Sequence, residues 1–368
     1  MSCRGGLYPT SLPMTLQIRC IYLLLKPGKE NLVPPSPDYT ALNVEDSVLM
    51  EKDPVCVVGN LNIDLIIRKV PRLLTWGTEV FGNSHVAVTA GQAGYLAFAL
   101  SRLGILTSLV GNVGKDAFGK QILDDLKAYG VNTSGIEISQ SDQTGITVAI
   151  VREDGERGFV SSYASLLDFN EALVLRHWDR VEEAAIVCLV GLFTIPNLNL
   201  TAATRLMAKT RQGGKVTMLD TGWDPGNWPF ETIQGMKDLL RQITLFMPNL
   251  DEARVITGEK TVEEAAKALQ SLGPKLIVIK CGPEGSFALE GSKTYFQPPR
   301  LVNVFDTVGA GDTFNAGFLY GYRQKWPIRD CLAFGNSTAS LYISRDKNRW
   351  PLFSEVETVV KTSGVVLD

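Results

Sequence analysis

From residue 54 onward, short runs of β-branched residues alternate with stretches of helical periodicity, and that alternation admits very few folds. Segments 55–59 and 65–69, bounded by Gly or Pro, read as strands. Residues 92–103 (QAGYLAFALSRL) read as a small-residue helix, 107–110 as a buried strand, and 117–129 as an amphipathic helix that stops before Gly130. The rhythm resumes through 185–190, 199–210, 216–219, 245–247, 262–271 and 276–280. Strands joined through helices run parallel, and a parallel sheet must be covered on both faces. The pattern therefore predicts a three-layer α/β/α domain over 54–362 with a mostly parallel central sheet.

Two stretches break the rhythm. Residues 79–88 alternate polar with apolar, and 145–161 read as a hairpin around Glu153-Asp154-Gly155. Both suggest half-exposed antiparallel strands. Drawn from about 64–88 and 145–161, they would form a small β-strand lid over the carboxyl edge of the sheet, where α/β domains bind ligands. Their exposed edges would allow a homodimer through the lid strands.

With 45% apolar and 20% charged residues, the 368-residue chain can bury a large core. A net charge of −3 gives no basic footprint, which argues against nucleic acid or a membrane surface as partner. Residues 1–53 differ from the rest: Pro-rich at 26–37, with an apolar run at 18–25 that Arg19 and Cys20 interrupt. That run is too short to span a bilayer and lacks a cleavage site, so the segment reads as a disordered extension, or Met50 is the true start. Six cysteines without CxxC pairing read as reduced thiols of a cytoplasmic protein. No GxxxxGK[ST] loop occurs, and His85 and His177 lie far apart with no nucleophile motif beside them.

The segment richest in chemistry is Asp306-Thr307-Val308-Gly309-Ala310-Gly311-Asp312, which opens a helical stretch. Small residues at a helix start leave amides aimed outward with the helix dipole behind them, so an anion can sit there. A carboxylate at Asp312 would take a proton from an attacking hydroxyl. The alternative is a Gly-rich turn capped by Asp312. Asp64, in Gly59-Asn60-Leu61-Asn62-Ile63-Asp64, suits a polyol at the mouth of a sheet, or else bonds its own backbone in a turn. Asn249 and Glu252 have the spacing of a helix capping box, and carboxylate and amide oxygens are also what Mg²⁺ prefers.

The longer string DTVGAGDTFNAGFL, residues 306–319, matches the second signature of the PfkB carbohydrate kinases throughout, and the chain resembles this ribokinase-like family from about 55 to 360. The resemblance implies a ribokinase-like fold, with Asp312 as catalytic base and Gly309, Ala310 and Gly311 as the anion hole. Ala90-Gly91-Gln92-Ala93-Gly94-Tyr95, with Gly104 and Gly114 at the expected distances, resembles the first signature, except that Tyr95 stands where the family has Asn. Tyr95 either packs on its helix or contacts substrate. The implied substrate residues are Asn62, Asp64, Gly91, Gln92, Tyr95 and Asp306. Those implied for ATP are Asn249, Lys280, Gly282, Gly285, Thr307 and Asn336, with Glu252 reaching Mg²⁺ through water.

Asp220 to Trp228 resembles the family segment DPNxR without its Arg, and Trp223, Asp224 and Trp228 either line the pocket or pack the loop. Where the family has a Gly-Ala turn that helps hold a monovalent cation, this chain has Arg345-Asp346-Lys347-Asn348-Arg349, which leaves potassium use open. The implied activity is transfer of the γ-phosphoryl of ATP, with Mg²⁺, to a hydroxyl of a small sugar or sugar-like molecule. A nucleoside kinase of the same family and a non-catalytic sugar or nucleotide sensor are the alternatives.

Overall fold

The segment Val-Cys-Val-Val-Gly at 55–59 is buried at every position, as the central strand of a sheet covered on both faces must be. Its side chains alternate: Val55 and Val57 enter one core with Leu96, Phe318 and Leu332, while Cys56 and Val58 enter another with Leu206, Leu239 and Leu269. A computed structural model describes residues 54–362 apart from 73, 141–142, 154–155 and 347–348. The extension expected over 1–53 and the tip of the 145–161 hairpin lie outside the described residues.

The strands are β1 (Val55–Gly59), β2 (Asn62–Val70), β3 (Ser84–Ala90), β4 (Thr107–Gly114), β5 (Asn132–Ser139), β6 (Ile146–Arg152), β7 (Arg157–Ser162), β8 (Ile186–Val190), β9 (Val216–Asp220), β10 (Leu245–Phe246), β11 (Leu276–Lys280), β12 (Ser286–Glu290) and β13 (Lys293–Gln297). Nine form the central sheet in the order β13-β12-β11-β10-β9-β8-β1-β4-β5. Every pairing from β11 to β5 is parallel. The antiparallel pairings β11–β12 and β12–β13 close one edge. The order reverses beside β1, with β4 on one side and β8 on the other, so a crevice opens at its carboxyl end. Asn60 and Asn62 follow directly on that end.

A second sheet has the order β3-β2-β6-β7. Only part of the expected lid pattern holds. The stretch 79–83 is not strand, β3 begins at Ser84, and the central pair β2–β6 is parallel although the two outer pairings are antiparallel. The cause is topological: β2 follows β1 and β6 follows β5, both leaving the same carboxyl edge in the same direction, and each then folds back through its own hairpin. Strand β5 and the β12–β13 hairpin were not expected from periodicity. In β5 buried and exposed positions are mixed, and β13 is largely exposed.

Cys56, Cys188, Cys281 and Cys331 are buried free thiols. Among the described residues no helix is long and apolar enough to cross a membrane.

Candidate active site

The 306–312 loop runs into the helix Ala310–Arg323 through Gly309, whose φ of 80° is left-handed. A Cβ on Gly309 would lie 2.9 Å from the Tyr342 hydroxyl and 3.0 Å from the Tyr95 ring. Gly317, further along the same helix, serves close approach: a Cβ there would fall 2.4 Å from Thr338 Oγ1 and 2.9 Å from the Gly335 Cα. The helix Ile328–Ile343 therefore packs almost backbone to backbone against Ala310–Arg323 and holds the loop at its base.

The first amides of a helix have no intrahelical acceptor. Here the Ala310 N–H is taken by the Thr307 carbonyl at 3.1 Å, so the loop itself uses one of the three amides assigned to the anion hole. Gly311 lies over Lys280, a Cβ on it falling 3.4 Å from Nζ.

Asp312 is buried. Burial foremost, then the charge of Asp220, pushes its carboxyl well above the usual range, against Lys280 and a hydrogen bond from Gln92. Its Oδ1 is buried with no hydrogen-bond partner among the described residues, which leaves it an unused acceptor.

Asp312 and Gln92 line two cavities at once. The first, of about 420 Å³, opens under the small sheet between Asp64, Gly91, Tyr95, Ser161 and Trp223. Along its wall Asn60 Nδ2 donates to Asn62 Oδ1 at 3.2 Å, and Asn62 Nδ2 donates to Asp64 Oδ1 at 2.9 Å. The Tyr95 hydroxyl donates to Asp64 Oδ2 at 3.0 Å. Burial raises the Asp64 carboxyl to about 6 against these two hydrogen bonds.

The second cavity, of about 410 Å³, is lined by Asp220, Asn249, Glu252, Lys280, Gly282 and Gly311. Asn249 and Glu252 form a capping box at the start of the helix Leu250–Thr257, with bonds of 2.8 and 3.0 Å. Lys280 pairs with Asp220, whose same oxygen accepts from Asn315 Nδ2 at 2.5 Å. Burial alone would lower the Lys280 ammonium, but Asp220 and Glu252 outweigh it and the net shift is upward. The Glu252 carboxyl is raised by burial and then by Asp220. Asp220, at the end of a buried strand, opens the 220–228 segment that resembles DPNxR, but within that segment the sequence pointed to Trp223, Asp224 and Trp228 rather than to Asp220 as candidate pocket residues.

The structure thus gathers Asn62, Asp64, Gly91, Gln92, Tyr95, Gly309 and Asp312 at one cavity and Asn249, Glu252, Lys280, Gly282 and Gly311 at the other. Gly285, Asp306, Thr307 and Asn336 are not among the lining residues. Asp306 is instead engaged by Arg68 and Arg349 and caps its own turn at the Val308 N–H, 3.0 Å away. Asn336 Nδ2 holds the chain after β13 through the carbonyls of Gln297 and Pro298, at 3.2 and 3.0 Å. Trp223 lines both cavities, while Trp228 is buried edge-on against it at 5.9 Å and Asp224 caps its loop at Gly226 and Trp228. His177 pairs with Glu137, 3.1 Å away, and neither it nor His85 lines either of these two cavities.

A three-layer domain with a small sheet over its switch point, and a glycine loop and buried carboxylate between two cavities, defines a ribokinase-like sugar kinase. The sequence profile of the pfkB family carbohydrate kinases matches residues 52–350, and the chain belongs to that family. It is 30% identical over 289 residues to ribokinase of Bacillus subtilis, covering 78% of this chain and 92% of that protein. It is 27% identical to a 5-dehydro-2-deoxygluconokinase of Clostridium botulinum, covering 74% and 83%. The structure of Arabidopsis thaliana ribokinase complexed with ribose and ATP superposes with a TM-score of 0.74 at 25% identity, over 84% of this chain and 99% of that one.

Proposed function

We propose that this kinase transfers the γ-phosphoryl group of ATP to a hydroxyl of a small sugar or sugar acid, with Asp312 as general base. The observation that carries the proposal is that Asp312 belongs to both cavities, so one carboxylate faces an acceptor on one side and a phosphoryl donor on the other. The acceptor sits in the first cavity, its hydroxyls bonded by Asp64 and Asn62. The unpartnered Oδ1 of Asp312 accepts the proton of the attacking hydroxyl as the new O–P bond forms and the bond to the ADP leaving oxygen breaks. The raised basicity of Asp312 suits that step, since a carboxylate made more basic by burial takes a proton more readily than an ordinary one. The amides around Gly309 and Gly311, with Lys280 beneath them, stabilise the charge spread over the transferring group.

Asp220, Glu252 and Asp312 bring three carboxylates to the second cavity against the one ammonium of Lys280, an excess of negative charge that suits a divalent cation. Among the described residues no three acidic or imidazole side chains are close enough to grip a metal directly, so Glu252 and Asp220 would hold hydrated Mg²⁺ through its waters. Bound there, Mg²⁺ would neutralise phosphate charge. The four-stranded sheet acts as a lid that keeps water from the phosphoryl group. Relatives that act on ribose and on deoxygluconate derivatives support a sugar or sugar-acid acceptor.

The test is ADP release with MgATP against a panel of sugars, sugar acids and nucleosides, run beside Asp312→Asn. Stimulation by a sugar or sugar acid that vanishes in the variant supports the reading. Stimulation by nucleosides alone redirects it to a base-binding acceptor, and ATP binding without turnover across the panel refutes it.

A further inference from the structure

Arg349 lies in the segment 345–349, which stands where the family resemblance places a turn that helps hold a monovalent cation. Its side chain is mostly buried, 18% exposed. One nitrogen is 3.3 Å from Asp306 Oδ2, and another donates to the Asp306 backbone carbonyl at 3.0 Å. The guanidinium carbon lies 4.1 Å from the centroid of the Tyr342 ring, whose hydroxyl backs Gly309 of the anion loop. Arg68 of the small sheet approaches the same carboxylate at 3.4 Å. The segment is tied from its other end by Arg345, bonded to Glu355 at 2.9 Å.

A carboxylate, a carbonyl and an aromatic face together make a cation site, and here a side chain fills it. A planar, permanently charged fork reaches the Asp306 carboxylate Oδ2 and its backbone carbonyl at once, which a spherical ion or a lysine does less well. An added monovalent cation would meet two guanidinium groups at Asp306 and a carbonyl already accepting a hydrogen bond. These residues do not fit a potassium ion.

We propose that Arg349 is the resident cation of the 306–311 loop, a positioning residue that makes the kinase independent of potassium. It lines neither cavity. It holds Asp306 through side chain and backbone, and Gly309 through Tyr342, so that the loop amides are set before ATP arrives. The inference rests on the phosphotransfer reading for its kinetic consequences only.

The full chain, Arg349→Ala and Arg349→Lys are assayed for ADP release and for thermal unfolding in tetramethylammonium buffers titrated with KCl at constant ionic strength. Wild type is expected to be indifferent to potassium in both readouts. Arg349→Ala is expected to lose about 10²-fold in kcat with a smaller change in sugar KM, and to regain part of it with KCl or guanidinium chloride. Arg349→Lys, which keeps the charge and loses the fork, falls between them and carries the test if the alanine variant does not fold. Potassium activation of wild type, potassium-specific stabilisation of wild type, or an Arg349→Ala variant with full kcat overturns the proposal. If no acceptor is phosphorylated, the functional reading fails and unfolding alone decides this one: stabilisation by potassium in Arg349→Ala but not in wild type sustains it, and the reverse refutes it.

Discussion

The Tyr95 hydroxyl donates to the Asp64 carboxylate at 3.0 Å, joining the helix Gln92–Arg102 to strand β2 at the wall of the first cavity. A hydrogen bond to a charged group contributes about 1.5–3 kcal/mol, so Tyr95→Phe is expected to raise acceptor KM about tenfold or more while kcat changes little. Loss of that bond also raises the Asp64 carboxyl further, since Tyr95 lowers it. Steady-state kinetics of the variant check both, and an unchanged KM would make Tyr95 a packing residue only.

Asp312→Asn keeps the shape of the residue and removes the proton acceptor. The expected loss in kcat is about 10²–10⁴-fold, with the affinity for MgATP retained within a few-fold. Calorimetric titration with ATP beside the turnover assay separates the two effects. Near-normal turnover would move the base elsewhere.

Activity and stability are expected to move in opposite directions with pH. Asp312 must be ionised to accept a proton, and burial raises its carboxyl well above the usual range and that of Asp64 to about 6, so kcat/KM falls as the medium is acidified. A carboxyl raised on folding binds more protons in the folded state, so its effect on stability is most favourable below its unfolded value and is lost as pH rises through the folded one. For Asp64 that window runs from about 4 to about 6, so unfolding temperature should climb as pH is lowered toward 5 while activity declines. Coincident decline of both would contradict this assignment.

Lys280 offsets Asp220, Glu252 and Asp312 in a buried site. Removing one partner of a buried ion pair costs about 3–5 kcal/mol, so Lys280→Met should be strongly destabilised. Asp220→Asn/Lys280→Met, which removes a charge of each sign, should recover much of that stability without recovering turnover. Denaturant unfolding of the two single variants and the double variant gives the coupling.

The layers of the fold were legible because they rest on local properties. The run at 55–59 alternates between two cores only if both faces are covered, and its composition says so. The loop 306–312 was legible because glycines with a left-handed residue at Gly309 and a backbone contact at Gly317 leave a local mark. The lid was less so. Its parallel β2–β6 pair joins strands separated by more than 70 residues, and periodicity reports which face of a strand is wet, not which strand lies beside it.

The site divides in the same way. Asp64, Glu252, Lys280 and Asp312 stood out by type and motif, whereas Asp306 and Asn336 turned out to hold the chain at positions outside the cavities. By itself the sequence determined the α/β layering, the glycine loop and the carboxylate that follows it, because each is written in neighbouring residues. Only the tertiary structure decided that Tyr95 meets Asp64, that Asp220 takes Lys280 and Asn315, and that Arg349 occupies Asp306. Those contacts join positions 31 to 95 residues apart, and which distant charges meet depends on strand order and helix packing rather than on any local pattern.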